Sequence, residues 1–94
     1  MPRQQPKSPE FSEIREAIRR QISAFIERNG DDKADTEEIE PIARFLECLP
    51  LATSEFDLAR ARLRNAYRYI RSNEIGAASY ELRLLRGQLS EWNA

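Results

Sequence analysis

Carboxylates are the most abundant side chains in this sequence that could take part in catalysis or metal binding. The chain has 16 acidic residues, no histidine, and a single cysteine, Cys48. Without histidine, neither a histidine-dependent catalytic triad nor a histidine metal site can form. One cysteine also excludes a Cys/His zinc cluster and an intramolecular disulfide. The acidic residues are therefore the first side chains to test for a metal or catalytic site.

One acidic segment has part of the spacing of a calcium-binding loop. Positions 1, 3, 7 and 12 of such a loop would be Asn29, Asp31, Asp35 and Glu40. Position 5, however, would be Lys33, a cation where a ligand oxygen is needed, and position 6 would be Ala34, where the sharp turn requires glycine. We therefore predict that residues 31–40 form a solvated acidic connection and not a calcium site.

Carboxylates at helical spacing could also hold a divalent ion for phosphoester hydrolysis, and Glu10, Glu13 and Glu16 have that spacing. Such a site needs facing carboxylates on a second helix. Acids farther along the chain are too widely spaced, or too close to the start of a helix, to supply them. The sequence also has no glycine-rich phosphate loop and no G-x-S-x-G motif. We predict that the protein is not an enzyme and that it binds no metal or cofactor.

Arginines form the most regular charged pattern. Residues 1–57 carry 8 basic and 13 acidic groups, whereas residues 58–94 carry 7 basic and 3 acidic groups, so net charges of −5 and +4 combine to the chain's −1. In the basic part, spacings of 4, 4 and 3 place four arginines on one face of a helix. We call these four residues the arginine stripe: Arg60, Arg64, Arg68 and Arg71.

Like charges four residues apart on a helix repel each other weakly, so the stripe favours a negative partner. The acidic segment 31–40, or the glutamates of the first helix, could neutralise it within the chain. An acidic patch on a partner protein could do so from outside, and so could the phosphates of a nucleic acid, which the planar guanidinium group binds well. The pI near 5.5 counts against nucleic acid, because nucleic-acid-binding domains commonly have a basic excess.

Apolar residues recur at helical spacing in four segments. These predicted helices would carry and position the charged residues. The first and last segments carry five-residue apolar seams that include Ile18 and Leu85, and no segment of useful length alternates polar and apolar residues. The sequence therefore predicts an all-α fold, a small helical bundle of three long helices and one short helix. The predicted helices span residues 9–29, 41–49, 54–72 and 75–92.

The length of 94 residues allows one small domain. We predict a disordered N-terminal tail over residues 1–8 and a single helical domain over residues 9–94. A membrane span needs roughly 18 to 20 apolar residues, and no stretch of this sequence approaches that length. We therefore expect no membrane association and a cytoplasmic location.

Several side chains have specific expected places. Ile18 and Leu85 should be buried, Cys48 should be a small buried hydrophobe, and Tyr67 should lie on the apolar side of the third helix. A separate turn starting at Asp35 or Thr36 should precede the second helix. The third helix should be capped by Thr53 or Ser54.

By function, we expect a non-catalytic interaction module, an adaptor or regulatory protein. It would bind a partner protein with an acidic patch through its charge-segregated surface. The alternative is a small nucleic-acid-binding regulator that uses the arginine stripe. Apolar surface around Tyr69, Tyr80 and Leu84, off the main core faces, leads to the further hypothesis of a homodimer.

Overall fold

The computed structural model of this chain describes residues 9–28 and 34–92. In these ranges the backbone forms four α-helices and one 3₁₀ turn, and it forms no β-strand. The elements are α1 (Pro9–Arg28), the 3₁₀ turn (Thr36–Glu38), α2 (Glu40–Glu47), α3 (Thr53–Arg71) and α4 (Ile75–Glu91). The predicted all-α bundle is confirmed, and each predicted helix end lies within two residues of the observed end. The predicted tail, residues 1–8, lies outside the described residues.

The core lies where the apolar faces of the helices meet. Ile18 on α1 and Leu85 on α4, the middle members of their seams, are both fully buried, as predicted. The most extensive contact is between α3 and α4. Ala59 and Ala66 on α3 and Ala78 on α4 are also fully buried. These small side chains favour a close approach of the two helices, because the distance between packed helix axes depends on the side chains at the contact.

The connection between α1 and α2 is tied to α1 by hydrogen bonds. Asp35 accepts a 3.1 Å hydrogen bond from the N–H of Glu37, and the Glu38 carboxylate accepts one of 3.4 Å from the N–H of Asp35. The side-chain amide of Gln21 donates to the carbonyl oxygen of Glu38 at 2.9 Å. The predicted separate turn before α2 is confirmed, and part of the acidic segment is used to hold it.

The start of α3 corrects the predicted cap. The helix begins at Thr53, so its N-cap is Ala52 and not Thr53 or Ser54. Alanine has no side-chain acceptor, but the Glu55 carboxylate accepts a 2.9 Å hydrogen bond from the Ala52 N–H. The acid at the third helical position therefore satisfies the N–H of the N-cap residue itself, a different donor from the first-turn N–H groups that a threonine or serine cap would serve.

The turn between α3 and α4 depends on one left-handed residue. Asn73 has a φ of 63°, a region that asparagine occupies more readily than most residues. After the last turn of α3, the N–H of Glu74 donates to the carbonyl oxygen of Tyr69 at 2.7 Å, which closes the end of the helix. The chain then begins α4 at Ile75 and returns along α3.

Two expected burials are wrong. Cys48 is exposed, because it follows the last turn of α2, and the inward positions of this region are taken by Leu46 and Leu49. Tyr67 is 37% exposed, because Ala66 and Ile70 occupy the buried face of α3 at that level.

In the described part of the chain, no helix combines the length and the apolar character needed to cross a membrane.

Candidate functional site

All four arginines of the stripe lie on α3, and all four are exposed. At about 100° per residue their positions fall within an arc of about 80°, and at about 1.5 Å per residue Arg60 and Arg71 are about 16 Å apart along the axis. Helix geometry therefore places four guanidinium groups on one side of α3, as the spacing predicted.

Ion pairing distinguishes the stripe from another arginine of the same helix. Arg62, which is half-buried, pairs with Glu81 at 3.1 Å. Among residues 11–28 and 34–92, no acid forms an ion pair with an arginine of the stripe. The described acid Glu38 pairs instead with Arg28 on α1 at 2.7 Å. The described part of the acidic segment therefore forms no ion pair with the stripe, although Asp35 and Glu38 border the same depression as Arg71.

Aromatic rings hold two of the four guanidinium groups. Arg60 lies over the ring of Phe56, with its guanidinium carbon 5.6 Å from the ring centroid, and Arg71 lies over Tyr67 at 6.0 Å. Each pair is four residues apart on α3, so both residues share one face. Cation–π contacts of this kind contribute about 0.5–1 kcal/mol at exposed sites. They orient the two arginines without neutralising their charge.

The four arginines of the stripe border three different depressions of the surface. Arg60 and Arg64 border a groove between α2 and α3. Arg71 borders a wide, shallow depression beside Asp35 and Glu38 of the α1–α2 connection. Arg68 lies next to Asn65 and Tyr69 on another part of the helix surface. The four arginines share one face of α3, but each part of the stripe has different neighbours.

The groove between α2 and α3 has an apolar floor and a charged rim. It has a volume of about 280 Å³. Its lining residues are Ala43, Leu46, Glu47, Phe56, Arg60, Leu63, Arg64 and Tyr67. Sequence reasoning missed this groove because it placed Tyr67 on the apolar side of α3. The available signal was the position of Tyr67 among Arg64, Arg68 and Arg71, since an aromatic residue in a charged stretch of helix often lies at the edge of a core.

A metal site would need several ligating side chains close together. Within the described ranges, no three residues of the types His, Cys, Asp and Glu come together in a way that could hold a metal ion. Asn29 and Asp31, two of the positions considered for calcium, lie outside those ranges. The absence of catalysis stays a prediction from the sequence.

Comparison of the chain with family models, curated proteins and solved structures gave no match in any of the three. The function must therefore be inferred from the chemistry of the surface itself.

Proposed function

We propose that this protein is a non-catalytic interaction module, an adaptor or regulatory protein, that binds an acidic patch on a partner protein through the arginine stripe. The observation that supports the proposal is the contrast within α3. Arg62 forms an ion pair with Glu81, whereas the four exposed arginines have no ion-pair partner among the described residues. Like charges at this spacing repel, so an external acidic surface would relieve an unfavourable interaction that the fold leaves in place.

Two features favour a protein over a nucleic acid as the partner. The chain's pI is near 5.5, which weakens long-range attraction to a polyanion, whereas a local arginine face is sufficient for an acidic patch on a protein. The apolar groove beside Arg60 and Arg64 would contribute to binding a protein, whereas the phosphate backbone of a duplex offers no apolar group to fill it. The cytoplasmic location and the homodimer remain predictions beside this proposal.

The experiment compares which proteins of a native-host extract are retained by three immobilised forms of this protein: the wild type, a test variant and a control variant. The test variant is Arg64→Gln with Arg68→Gln, and the matched control is Arg20→Gln with Arg83→Gln, which removes two exposed arginines on α1 and α4. We expect one or more proteins to be retained by the wild type and the control but lost by the test variant. Retention of the same proteins by all three would contradict the proposal.

A second measurement addresses nucleic acid. Mobility shifts with duplex and single-stranded oligonucleotides at about 50 mM salt should show no binding by the wild type, although electrostatic binding is strong under this condition. Tight binding by the wild type that is lost in the Arg64→Gln, Arg68→Gln variant would show that the partner is a nucleic acid and not a protein.

A further inference from the structure

The groove between α2 and α3 reaches the hydrophobic core. Leu46 of α2 is 1% exposed and Leu63 of α3 is 9% exposed, and both line the groove. Phe56 and Tyr67 line it from α3 and are only partly covered. A side chain inserted here would therefore contact apolar surface supplied by both helices, and it would remove that surface from water.

The size of the groove indicates what it could hold. Its volume of about 280 Å³ is slightly below the range of about 300–1,000 Å³ that is usual for small-molecule pockets. It is also open along the surface between two helices. These features suit a large apolar side chain that projects from a docked helix, a known mode of peptide recognition.

The charges at the rim indicate the character of the docked segment. Arg60 and Arg64 border the groove on the α3 side, and Glu47 borders it on the α2 side. Arg60 is held in place by its contact with Phe56. A helix with acidic residues on the flank that faces α3 would complement the two arginines, whereas a basic helix would be repelled by them.

The chain's own N-terminal segment does not match this requirement. Residues 1–8 contain two basic residues, Arg3 and Lys7, and no acid. Their charge has the same sign as that of Arg60 and Arg64, so this segment has no electrostatic reason to cover the groove. An acidic segment would complement the two arginines instead.

We propose that the α2–α3 groove binds an acidic amphipathic helix of the partner protein. One large apolar side chain of that helix inserts over Leu46 and Leu63, and its carboxylates pair with Arg60 and Arg64. This inference rests on the proposed function, because it identifies the kind of segment that the acidic partner presents. It adds an apolar anchor to what would otherwise be a purely electrostatic contact.

The probe is a displayed library of peptides of about 14 residues, about 21 Å long when helical. Each peptide has a fixed apolar stripe at helical spacing, and its other positions are drawn equally from acidic, basic and neutral residues. Selection on the wild-type protein should enrich acidic residues beside one large apolar anchor. Enrichment of basic or neutral peptides, or no enrichment, would overturn the inference.

The selected peptides are then measured against variants by fluorescence anisotropy. Ala43→Trp places a large ring at the exposed edge of the groove, and Ala24→Trp makes the same change at an exposed position of α1. We expect Ala43→Trp and the double change Arg60→Gln, Arg64→Gln each to weaken binding at least tenfold. The control Ala24→Trp should change it less than twofold. Circular dichroism checks that each variant is as helical as the wild type.

Different results would overturn different parts of the reasoning. If Ala43→Trp binds the peptides as well as the wild type, but Arg64→Gln with Arg68→Gln still loses the partner protein from the host extract, the proposed groove is not the binding site and the proposed function stands. If the arginine changes have no effect, the proposed function fails as well. If sedimentation equilibrium shows a dimer that Ala43→Trp converts to a monomer, a second copy of this chain occupies the groove and the inference is overturned.

Discussion

Nη1 of Arg62 donates a 3.1 Å hydrogen bond to Oε1 of Glu81, and this ion pair joins α3 to α4. The two side chains are 25% and 11% exposed, so water can solvate them only in part. Nε of Arg62 is buried, and it has no hydrogen-bond partner among the described residues. The pair is therefore partly desolvated and incompletely hydrogen-bonded, in contrast to the exposed arginines on the same helix.

Removing only one partner of this ion pair should destabilise the protein more than replacing both partners. Glu81→Ala leaves the Arg62 charge without its partner and should lower the free energy of unfolding by about 1–3 kcal/mol. The double change Arg62→Met, Glu81→Leu removes both charges and should be close to neutral. Urea denaturation of the wild type, the single changes Arg62→Met and Glu81→Leu, and the double change forms a double-mutant cycle, in which strictly additive effects would show that the pair is not coupled.

The core should be sensitive at the two residues that the apolar seams identified. Ile18→Ala and Leu85→Ala each remove a fully buried side chain and should cost about 2–5 kcal/mol. Leu58→Ala is the control, because Leu58 is 38% exposed, and it should cost less than about 1 kcal/mol. Equal urea midpoints for all three variants would contradict the assigned helix faces.

The N-terminus of α3 can be stabilised by a better cap. Ala52 has the extended backbone of an N-cap, with φ −64° and ψ 156°, but no side-chain acceptor. Ala52→Ser should raise the free energy of unfolding by about 0.5–1 kcal/mol, because the hydroxyl can accept a hydrogen bond from a free N–H of the first turn. The matched change Ala24→Ser, within α1, should be neutral or slightly destabilising. An unchanged or lower melting temperature for Ala52→Ser would show that the hydroxyl makes no capping hydrogen bond there.

Gly87 weakens α4 without a visible packing reason. A Cβ added there would meet no atom within 4 Å, and the position is exposed within the helix. Gly87→Ala should therefore stabilise the protein by about 0.8–1 kcal/mol, since alanine loses less backbone freedom on folding. Thermal denaturation would detect the gain, and a loss of stability would indicate a contact at this face that the structure does not show.

The helices could be predicted because their signals are local. The seams around Ile18 and Leu85 repeat at helical spacing, and Pro50 separates α2 from α3. Each of these signals lies within about one helix length of sequence. Burial at the centre of each seam follows directly from them, and the structure confirms it.

The candidate site could be predicted only in part, because it depends on how helices are placed relative to each other. Spacing alone put the four arginines on one face of α3. The exposure of Tyr67 and the groove beside it depend on where α2 packs across α3 after the connection at Pro50. The pairing of Arg62 with Glu81 depends on the register between α3 and α4. Neither relationship is encoded in a pattern within a single helix.

Removal of two stripe arginines should leave the fold intact. Arg64 and Arg68 are exposed and have no ion-pair partner among the described residues. Arg64→Gln with Arg68→Gln should therefore change the free energy of unfolding by less than about 0.5 kcal/mol, as is usual for surface substitutions. A loss of about 2 kcal/mol in urea denaturation would show instead that the stripe is paired within the chain.

The most direct test is the affinity of the recovered acidic partner, measured by isothermal titration calorimetry against three forms of the protein. The wild type and the Arg20→Gln, Arg83→Gln control should bind with dissociation constants within twofold of each other. The Arg64→Gln, Arg68→Gln variant should bind at least tenfold more weakly, and the difference should shrink as salt is added, because salt screens charges at an exposed surface. Equal affinities for all three forms would contradict the central claim that the arginine stripe is a partner-binding surface.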